Sequence, residues 1–357
     1  MKIVFSNYDD VNNPYYGGGG AYAIHEVAKR LAKRHKVTVV TGNYPNAKTQ
    51  FIDSVEYRRI GLSFLEPKLS QLIFHLLLPY YFRKSSFDVW IESFTPPFST
   101  SFLPFFGRGR VIGLAHMLAG EDMKRKYKLP FDLIEKFGLK LYREFIVLNK
   151  KTEEKIRGID RTAKIAIIPN GINVPKIAKT RSKHILFIGR IEINQKGLDL
   201  LLKAYEKLGE SFDIPLLIAG SGTKSEENKL QRMIRDLGIQ KKIKLVGRIE
   251  GREKERAFRE AYCVVIPSRY ETFSLVSLEA ASYRLPIVSF DIEGLGWLKE
   301  GCAIKIPHFN VDKFSKTLFV LTSDFRLREK VGKKARNLAR TFSWDDIAEK
   351  YEEYLMG

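Results

Sequence analysis

Residues 263–281 read Cys-Val-Val-Ile-Pro-Ser-Arg-Tyr-Glu-Thr-Phe-Ser-Leu-Val-Ser-Leu-Glu-Ala-Ala. The apolar run Cys263–Ile266 predicts a buried β-strand, and the periodicity of Ser274–Tyr283 predicts a helix. A buried strand that leads through a short polar loop into a helix is typical of a parallel α/β sheet, in which ligands bind beyond the carboxyl ends of the strands. The loop that holds Arg269 and Glu271 is therefore predicted to lie at a ligand-binding edge.

The strand-then-helix pattern recurs along the chain in two series, which the polar segment Pro175–Lys183 separates. The strands predicted in the first series are Lys2–Ser6, Val37–Thr41, Val89–Ile91, Val111–Leu114, Phe145–Leu148 and Ile165–Ile168. The strands predicted in the second are His184–Ile188, Pro215–Ala219, Ile243–Val246, Cys263–Ile266 and Ile287–Phe290. The predicted helices are Ala21–Arg34, Gly197–Leu208, Glu226–Leu237, Lys254–Ala261, Ser274–Tyr283 and Trp344–Leu355. This pattern favours two doubly wound α/β domains that face each other across a cleft.

Length, composition and cysteine content agree with this architecture. The chain has 357 residues, of which 44% are hydrophobic, which is too long for one ordinary core and too apolar for wholesale disorder. Cys263 and Cys302 lack the spacing of a metal site, and a reducing compartment is the default. The start Met1-Lys-Ile-Val-Phe predicts a strand rather than a signal peptide. We therefore expect a cytoplasmic protein.

The charge of the chain predicts affinity for something anionic. The net charge is +20, and residues 1–179 hold 29 basic and 16 acidic side chains, so that +13 lies in the first half. Zinc-finger, RNA-recognition and helix-turn-helix signatures are absent, which disfavours nucleic acid. The stretch Arg58–Lys84 mixes cations with apolar residues and suits an anionic membrane surface, unless those apolar side chains fill the core. Its apolar part, Leu72–Phe82, is shorter than the roughly 20 residues of a membrane-spanning helix.

Two cations follow the first strand of the second series, in Phe187-Ile-Gly-Arg190-Ile-Glu-Ile-Asn-Gln-Lys196-Gly197. Arg190 follows the end of the strand and Lys196 precedes the next helix. Arginine can bind a diphosphate bidentately and lysine as a point charge, so the pair is suited to neutralising a diphosphate leaving group. The alternative is two solvated cations in a chain that is rich in them.

The helix predicted to begin near Ser274 offers a second anion contact. The free amides of Ser274, Leu275 and Val276 would point at a bound anion, and the carboxylates of Glu271 and Glu279 can accept bonds from sugar hydroxyls. Both glutamates can equally be surface acids on a helix-capping turn. Gly220 permits close backbone approach, and Arg248 and Ile249 are placed to flank a base or ribose.

In this order, the motifs resemble those of family 4 of the retaining GT-B glycosyltransferases, and the resemblance covers nearly the whole chain. The motifs that carry it are Gly17–Gly20, His116, Pro169-Asn-Gly, Gly189-Arg190, Lys196-Gly197, Gly220-Ser-Gly222, Glu271-x7-Glu279 and Phe342-Ser-Trp344. The resemblance implies an acceptor-binding domain at residues 1–178 and a nucleotide-sugar-binding domain at 179–341. It also implies a helix, within 342–357, that crosses back to the first domain.

The resemblance also implies a role for each matching residue. Arg190 and Lys196 would hold the diphosphate, Glu279 the ribose hydroxyls and Glu271 the hydroxyls of the transferred sugar. His116 would lie beside the donor sugar. The backbone amides of the glycine-rich loop, at Gly18 and Gly19, would approach the phosphates or the acceptor.

The sequence departs from the family pattern at a few positions. Thr272, Ser274 and Arg284 stand where the family often has glycine, and the loop Glu293-Gly-Leu-Gly-Trp297 is unusual. These departures leave the phosphate and ribose contacts in place but do not assign the donor sugar. The motifs do not specify the nucleobase or the acceptor either.

The expected activity is retaining transfer of a sugar from a nucleotide-diphosphate donor to an acceptor hydroxyl, without a metal or another cofactor. The acceptor would be a glycan, either lipid-linked or on the cell surface, and the enzyme could meet it peripherally at the cytoplasmic membrane face. The alternatives are a nucleotide-sugar 2-epimerase of the same fold, or a catalytically silent protein that binds membranes or polyanions. A dinucleotide-dependent dehydrogenase is disfavoured, because the glycines begin eleven residues after Ser6 and position 22 is tyrosine.

Overall fold

The structure is a computed structural model that describes residues 1–13, 18–63, 67–96, 98–107, 109–177 and 180–357, excluding the side chains of Pro67, Lys68 and His308. It divides into two compact units, Met1–Gly171 with Trp344–Gly357, and Ile172–Ser343. The domain boundary predicted between residues 178 and 179, and Gly17 of the glycine-rich loop, lie outside the described residues.

The first unit is built on an eight-stranded sheet in the order β3-β4-β2-β1-β5-β6-β7-β8. Its pairs are parallel except for β3 with β4, which form an antiparallel hairpin. The strands are β1 (Lys2–Ser6), β2 (Lys36–Gly42), β3 (Gln50–Ile52), β4 (Val55–Ile60), β5 (Val89–Ser93), β6 (Arg110–Ala115), β7 (Glu144–Val147) and β8 (Lys164–Ile167). The helices between them are α1 (Gly19–Leu31), α2 (Pro67–Lys84), α3 (Leu103–Phe106), α4 (Gly120–Tyr127), α5 (Phe131–Leu139) and α6 (Lys150–Arg157).

The second unit is built on a six-stranded, all-parallel sheet in the order β11-β10-β9-β12-β13-β14. Its strands are β9 (His184–Ile188), β10 (Leu216–Ala219), β11 (Ile243–Gly247), β12 (Ala261–Ile266), β13 (Ile287–Phe290) and β14 (Ile304–Ile306). Its α-helices are α7 (Ile193–Lys196), α8 (Leu198–Glu206), α9 (Lys224–Asp236), α10 (Gly251–Arg259), α11 (Leu275–Ser282), α12 (Val311–Ser323) and α13 (Phe325–Ala339). Single 3₁₀ turns occupy Gln240–Lys242, Glu293–Leu295 and Pro307–Phe309.

The central strands of both sheets are buried because helices cover both faces, as expected of parallel sheets. In β9 and β12 the aliphatic side chains of Ile185, Leu186, Val264 and Val265 are buried. Cys263 lies in the same core, and burial raises the pKa of its thiol to about 12. Cys263 is therefore a core residue, as the sequence predicts.

The last helix, α14 (Trp344–Met356), packs on the first unit although the chain reaches it from the second. Trp344 is buried and its ring lies 6.0 Å from that of Tyr22 in α1. Ion pairs join the same two segments, with Arg30 Nε 2.6 Å from Asp345 and His35 Nε2 2.8 Å from Glu352. Aromatic packing and ion pairs thus hold α14 against α1 and the residues that follow it.

The predicted strands agree with the observed ones to within a few residues, and Lys2–Ser6, His184–Ile188 and Ile287–Phe290 agree at both ends. The helix predicted over Gly197–Leu208 is α8. The short helix α7, which the sequence did not predict, precedes it and ends at Gly197, whose backbone is left-handed (φ 63°). The sequence reasoning missed the β3–β4 hairpin, β14, the helices α2 to α6, α12 and α13, whose patterns are short, mixed or apolar on more than one side.

Candidate functional site

The loops after β9 and β12 lie side by side because these two strands are neighbours in the sheet. Lys196, the last residue of α7, places its Nζ 2.7 Å from Oε1 of Glu271. The hydroxyl of Ser268 donates to the same oxygen at 2.7 Å. Both charged side chains are mostly buried, at 19% and 10% exposure. The sheet topology therefore brings together a cation and a carboxylate that are 75 residues apart.

A second carboxylate of the motif is also paired. Glu279, in α11, accepts a bond from Nζ of Lys254 in α10 at 2.5 Å. One helical turn further along both helices, the rings of Phe258 and Tyr283 are stacked 5.1 Å apart. This packing holds Lys254 opposite Glu279. The sequence reasoning missed Lys254, because a lysine in a charged helix carries no signal of its own.

Arg190 is exposed and donates to Oε1 of Gln195 at 3.1 Å, within the same loop. By contrast, Arg269 forms a two-pronged ion pair with Asp199, with both N···O distances 2.7 Å. Its guanidinium also donates to the carbonyl of Asn194 at 2.8 Å. Arg269 therefore fastens the β12 loop to α7 and α8, and Arg190 is the exposed arginine of this pair of loops.

The helix N-terminus predicted at residue 274 is present, with Ser274 as the N-cap of α11. Its side chain accepts from the amide of Ser277 at 3.3 Å. Leu275 and Val276 stand in the first turn, where backbone amides lack partners inside the helix. The amide end of α11 thus lies in the same segment as Glu271, so that a helix dipole and a carboxylate share one loop.

Two of the residues that replace the family's frequent glycines have backbones suited to glycine. Ser274 has φ 58° and Arg284 has φ 62°, both in the left-handed region that side chains disfavour. Each is held by other contacts: Ser274 caps α11, and Arg284 donates to Glu329 at 2.6 Å. The chain therefore keeps the backbone geometry that a glycine would allow.

The unusual loop at residues 293–297 supports the Glu271 segment. Nε1 of Trp297 donates to the carbonyl of Phe273 at 2.9 Å, and the two rings stack 5.3 Å apart. At Gly294, an added Cβ would lie 1.8 Å from the carbonyl oxygen of Glu271, so only glycine fits. This loop positions Glu271, a role that the sequence pattern did not reveal.

The loops after β10 and β11 contain Gly220, Arg248 and Ile249. An added Cβ at Gly220 would lie 1.8 Å from the carbonyl oxygen of Gly189, so packing between two loops already requires a glycine here. Arg248 is exposed and pairs with Glu250 at 2.6 Å, and Ile249 is half-buried. Gly220 follows β10, which is next to β9 in the sheet, and Arg248 and Ile249 follow β11, which is next to β10.

In the first unit, His116 follows β6 and lies against the start of α1. Its Nδ1 is 3.2 Å from the hydroxyl of Ser93, and an added Cβ at Gly20 would lie 3.3 Å from the same nitrogen. Gly18 is the N-cap of α1 and Gly19 its first residue. Removal from water lowers the pKa of His116 to about 4, so the imidazole is neutral at pH 7. The predicted histidine and glycine-rich loop are therefore neighbours.

Two further properties of the described residues are relevant to the sequence predictions. Among residues 1–13, 18–63, 67–96, 98–107, 109–177 and 180–357, no group of three or more His, Cys, Asp or Glu is arranged to hold a metal ion. Within the same ranges, every helix is too short or too polar to cross a membrane.

Family models match both halves of the chain. Residues 17–176 match the model described as Glycosyltransferase Family 4, and residues 182–324 match the one described as Glycosyl transferases group 1. Together the two matches span most of the sequence.

Two curated relatives and one solved structure illustrate the similarity. An uncharacterized glycosyltransferase of Methanocaldococcus jannaschii is 31% identical over 57% of this chain and 57% of its own length. A D-inositol 3-phosphate glycosyltransferase of Xylanimonas cellulosilytica is 26% identical over 68% of this chain and 58% of its own. The chain thus matches a little over half the length of each relative. The structure of Anabaena Alr3699/HepE in complex with UDP-glucose is 15% identical, with a TM-score of 0.77, and covers 100% of this chain and 99% of its own.

Proposed function

Because this chain belongs to glycosyltransferase family 4 and has the GT-B fold of two Rossmann-like domains, we propose that it is a retaining glycosyltransferase. It would transfer a sugar from a nucleotide-diphosphate donor to an acceptor hydroxyl. The observation that carries the proposal is the Lys196–Glu271 pair, in which a cation suited to phosphate lies 2.7 Å from a carboxylate suited to sugar hydroxyls. UDP-glucose bound to HepE supports a donor of the same chemical class.

The proposed chemistry depends on stabilising the departing diphosphate. Arg190, Lys196 and the amide end of α11 would supply positive potential, so we propose that neither a metal nor another cofactor is needed. Glu279 would bind the ribose hydroxyls and Glu271 those of the transferred sugar. Neutral His116, with Gly18 and Gly19, would contact the donor sugar and phosphates.

Donor turnover tests the proposal. A panel of UDP, GDP and ADP sugars is screened by thermal shift, and the stabilising donor is then followed by NMR with and without EDTA. We expect loss of donor, release of the diphosphate with EDTA present, and a product that keeps the donor's anomeric configuration. Net inversion would contradict retention, and loss of activity in EDTA that Mg²⁺ restores would contradict metal independence. Conversion to the C2 epimer without release of the diphosphate would identify an epimerase instead.

We further propose that the acceptor is lipid-linked and is met at the cytoplasmic face of an anionic membrane. Helix α2 carries two apolar faces on opposite sides, because Phe74, Leu78 and Phe82 are buried while Leu76 and Tyr80 are 68% and 62% exposed. A helix that is apolar all round normally has a partner on each side.

Neighbouring helices extend the exposed face of α2. Phe105 of α3 is 74% exposed, and Leu133 and Phe137 of α5 are exposed as well. The ring of Phe137 lies 6.2 Å from that of Phe102, which precedes α3 and so connects these elements. Exposed cations lie in α2, at Arg83 and Lys84, and at the end of α5, at Lys136 and Lys140. An apolar surface with cations along it suits an anionic lipid bilayer.

The cations predicted to dock need one correction. Arg59 is 2% exposed and pairs with fully buried Asp10 at 2.9 Å, so it is a buried residue and does not present its charge to a membrane. Arg58 pairs with Glu56 at 2.7 Å and donates to Tyr81. The mixture of cations and apolar residues predicts surface cations at residues 58 and 59. In the structure both residues belong to β4, which pairs with β2, and Arg59 contacts Asp10 in the interior.

Vesicle co-sedimentation tests the membrane proposal. Wild type should bind vesicles that contain phosphatidylglycerol and not pure phosphatidylcholine, and salt should weaken the binding because it screens surface charge. The double variant Leu76→Ser/Tyr80→Ser should lose most of the binding. Phe319→Ser, an exposed phenylalanine in the second unit, is the matched control. Equal binding of the Leu76→Ser/Tyr80→Ser variant and the control would contradict this docking face.

A further inference from the structure

A cavity of about 310 Å³ lies in the first unit at the amino-terminal end of the sheet. Lys2 begins β1 and Lys36 begins β2, and both line the cavity with Arg58 of β4 and Lys84 of α2. His116 and Gly18 follow or precede elements at the opposite, carboxyl end of the same sheet. The cavity is therefore separate from the predicted donor and acceptor residues of this unit.

The walls of the cavity combine positive charge with hydroxyl donors. Besides the four cations, the hydroxyls of Tyr81 and Ser86 line it and can donate to a ligand; Thr38 also lines it, but its hydroxyl donates to Glu56. Two acids lie nearby: Glu56 pairs with Arg58 at 2.7 Å, and Asp88 accepts from the backbone amide of Lys2 at 2.6 Å. Counting both acids against the four cations leaves two positive charges. A doubly charged phosphate group would match this charge and these donors.

The arrangement around the cavity is already fixed by internal contacts. Nζ of Lys2 donates to the hydroxyl of Ser86 at 3.0 Å, and Arg58 donates to the hydroxyl of Tyr81 at 2.8 Å. Thr38 donates to Glu56 at 3.1 Å. Lys84 stands over the ring of Tyr80, with Nζ 4.7 Å from the centroid, and so links the cavity to the exposed face of α2. Prior ordering of donors lowers the entropic cost of binding a small anion.

We propose that this cavity is a phosphate-binding site, and that its ligand class is a phosphate monoester group. The group could belong to the headgroup of a membrane lipid that the exposed face of α2 contacts, or to a soluble phosphorylated molecule. The chemistry that recognises it is the same in both cases: three lysines, one arginine and hydroxyl donors around a cavity of small-ligand size. This proposal does not depend on the proposed transferase activity.

The test measures inorganic phosphate binding by ³¹P NMR titration, and vesicle binding with phosphatidic acid in phosphatidylcholine. We expect saturable phosphate binding by wild type, weakened roughly tenfold or more in Lys36→Glu and in Lys84→Glu, since each change reverses a charge near the anion. Arg161→Glu, an equal charge reversal at an exposed turn before β8, should stay within about twofold of wild type. Unchanged melting temperatures show that the variants fold.

A further variant separates this cavity from the proposed donor site. Lys196→Ala removes a cation of the second unit. We expect this variant to bind phosphate at the cavity as wild type does, whereas Lys36→Glu weakens that binding. If the two cavity variants also lose binding to phosphatidic acid vesicles, the bound phosphate group belongs to a lipid headgroup. If they lose only the binding of inorganic phosphate, the ligand is a soluble phosphorylated molecule. Absence of saturable binding to both probes, or equal binding by Lys36→Glu and Arg161→Glu, would overturn the proposal.

Discussion

The loops of the second unit and the outer helices of the first use charge in different ways. In the second unit, Lys196 and Lys254 each contact a carboxylate within 2.7 Å, and glycines let the loops touch through their backbones. In the first unit, exposed cations such as Lys84 accompany apolar side chains that contact solvent. Paired and partly buried charges fit the recognition of one small ligand, whereas solvated cations beside apolar groups fit an extended surface.

The strongest test of this contrast removes the cations of the second unit. Arg190→Ala and Lys196→Ala should each lower the transfer rate by roughly 100-fold, or about 3 kcal/mol, because one charge-assisted contact to the leaving group is lost. Steady-state kinetics with the identified donor measure the effect. Lys183→Ala, which removes a 2.7 Å ion pair with Glu260, is the matched control and should retain activity. Wild-type turnover in either site variant would exclude the diphosphate role.

The backbone contacts of the same loops can be tested through stability. Gly220→Ala should lower the free energy of unfolding by roughly 3 kcal/mol, because the new Cβ would meet the carbonyl of Gly189 at 1.8 Å. Gly238→Ala is the control, since Gly238 also has a positive φ but has no atom within 4 Å of an added Cβ, and it should cost only about 1 kcal/mol. Calorimetric unfolding that is equal for both variants would contradict the packing role of Gly220.

The two carboxylates of the second unit should differ in what they bind. Glu279→Ala should weaken the binding of the free nucleoside diphosphate about tenfold, because the variant would lose the contact with the ribose. Glu271→Ala should mainly slow transfer of the sugar. Both changes also leave a lysine without its acid, so Glu279→Gln and Glu271→Gln belong in the comparison. Titration calorimetry with the diphosphate and with the intact donor measures both. Equal affinities of the two variants for both ligands would refute this division.

The smallest expected effect concerns His116 in the first unit. Because its surroundings lower its pKa to about 4, the ring should stay neutral as the pH falls from 8 to 5.5. NMR of the imidazole resonances, assigned by comparison with His116→Gln, measures the titration. A ring that gains its proton near pH 6.5 would show that the imidazole is more exposed to water than the structure indicates.

The sequence could predict the strands and helices of the second unit well because each of these patterns is local. Strands β9 and β12 are short buried runs, and the residues after them, from Gly189 to Lys196 and from Arg269 to Glu279, stand at fixed offsets from those runs. The position of such residues at a sheet edge follows from the strand-then-helix order. Residues such as Lys254 and Trp297 could not be found this way, since their roles depend on what another segment places opposite them.

By itself the sequence determined the alternation of strands and helices, the parallel pairing of most strands in two sheets, and the residues that follow those strands. These depend on hydrophobic periodicity and on the fixed geometry of parallel strands. Only the tertiary structure decided that Arg59 is buried beside Asp10 and that Leu76 and Tyr80 are exposed. Burial is a property of contacts between distant segments, and an apolar helix such as α2 looks the same in sequence whether its second face meets a core or solvent.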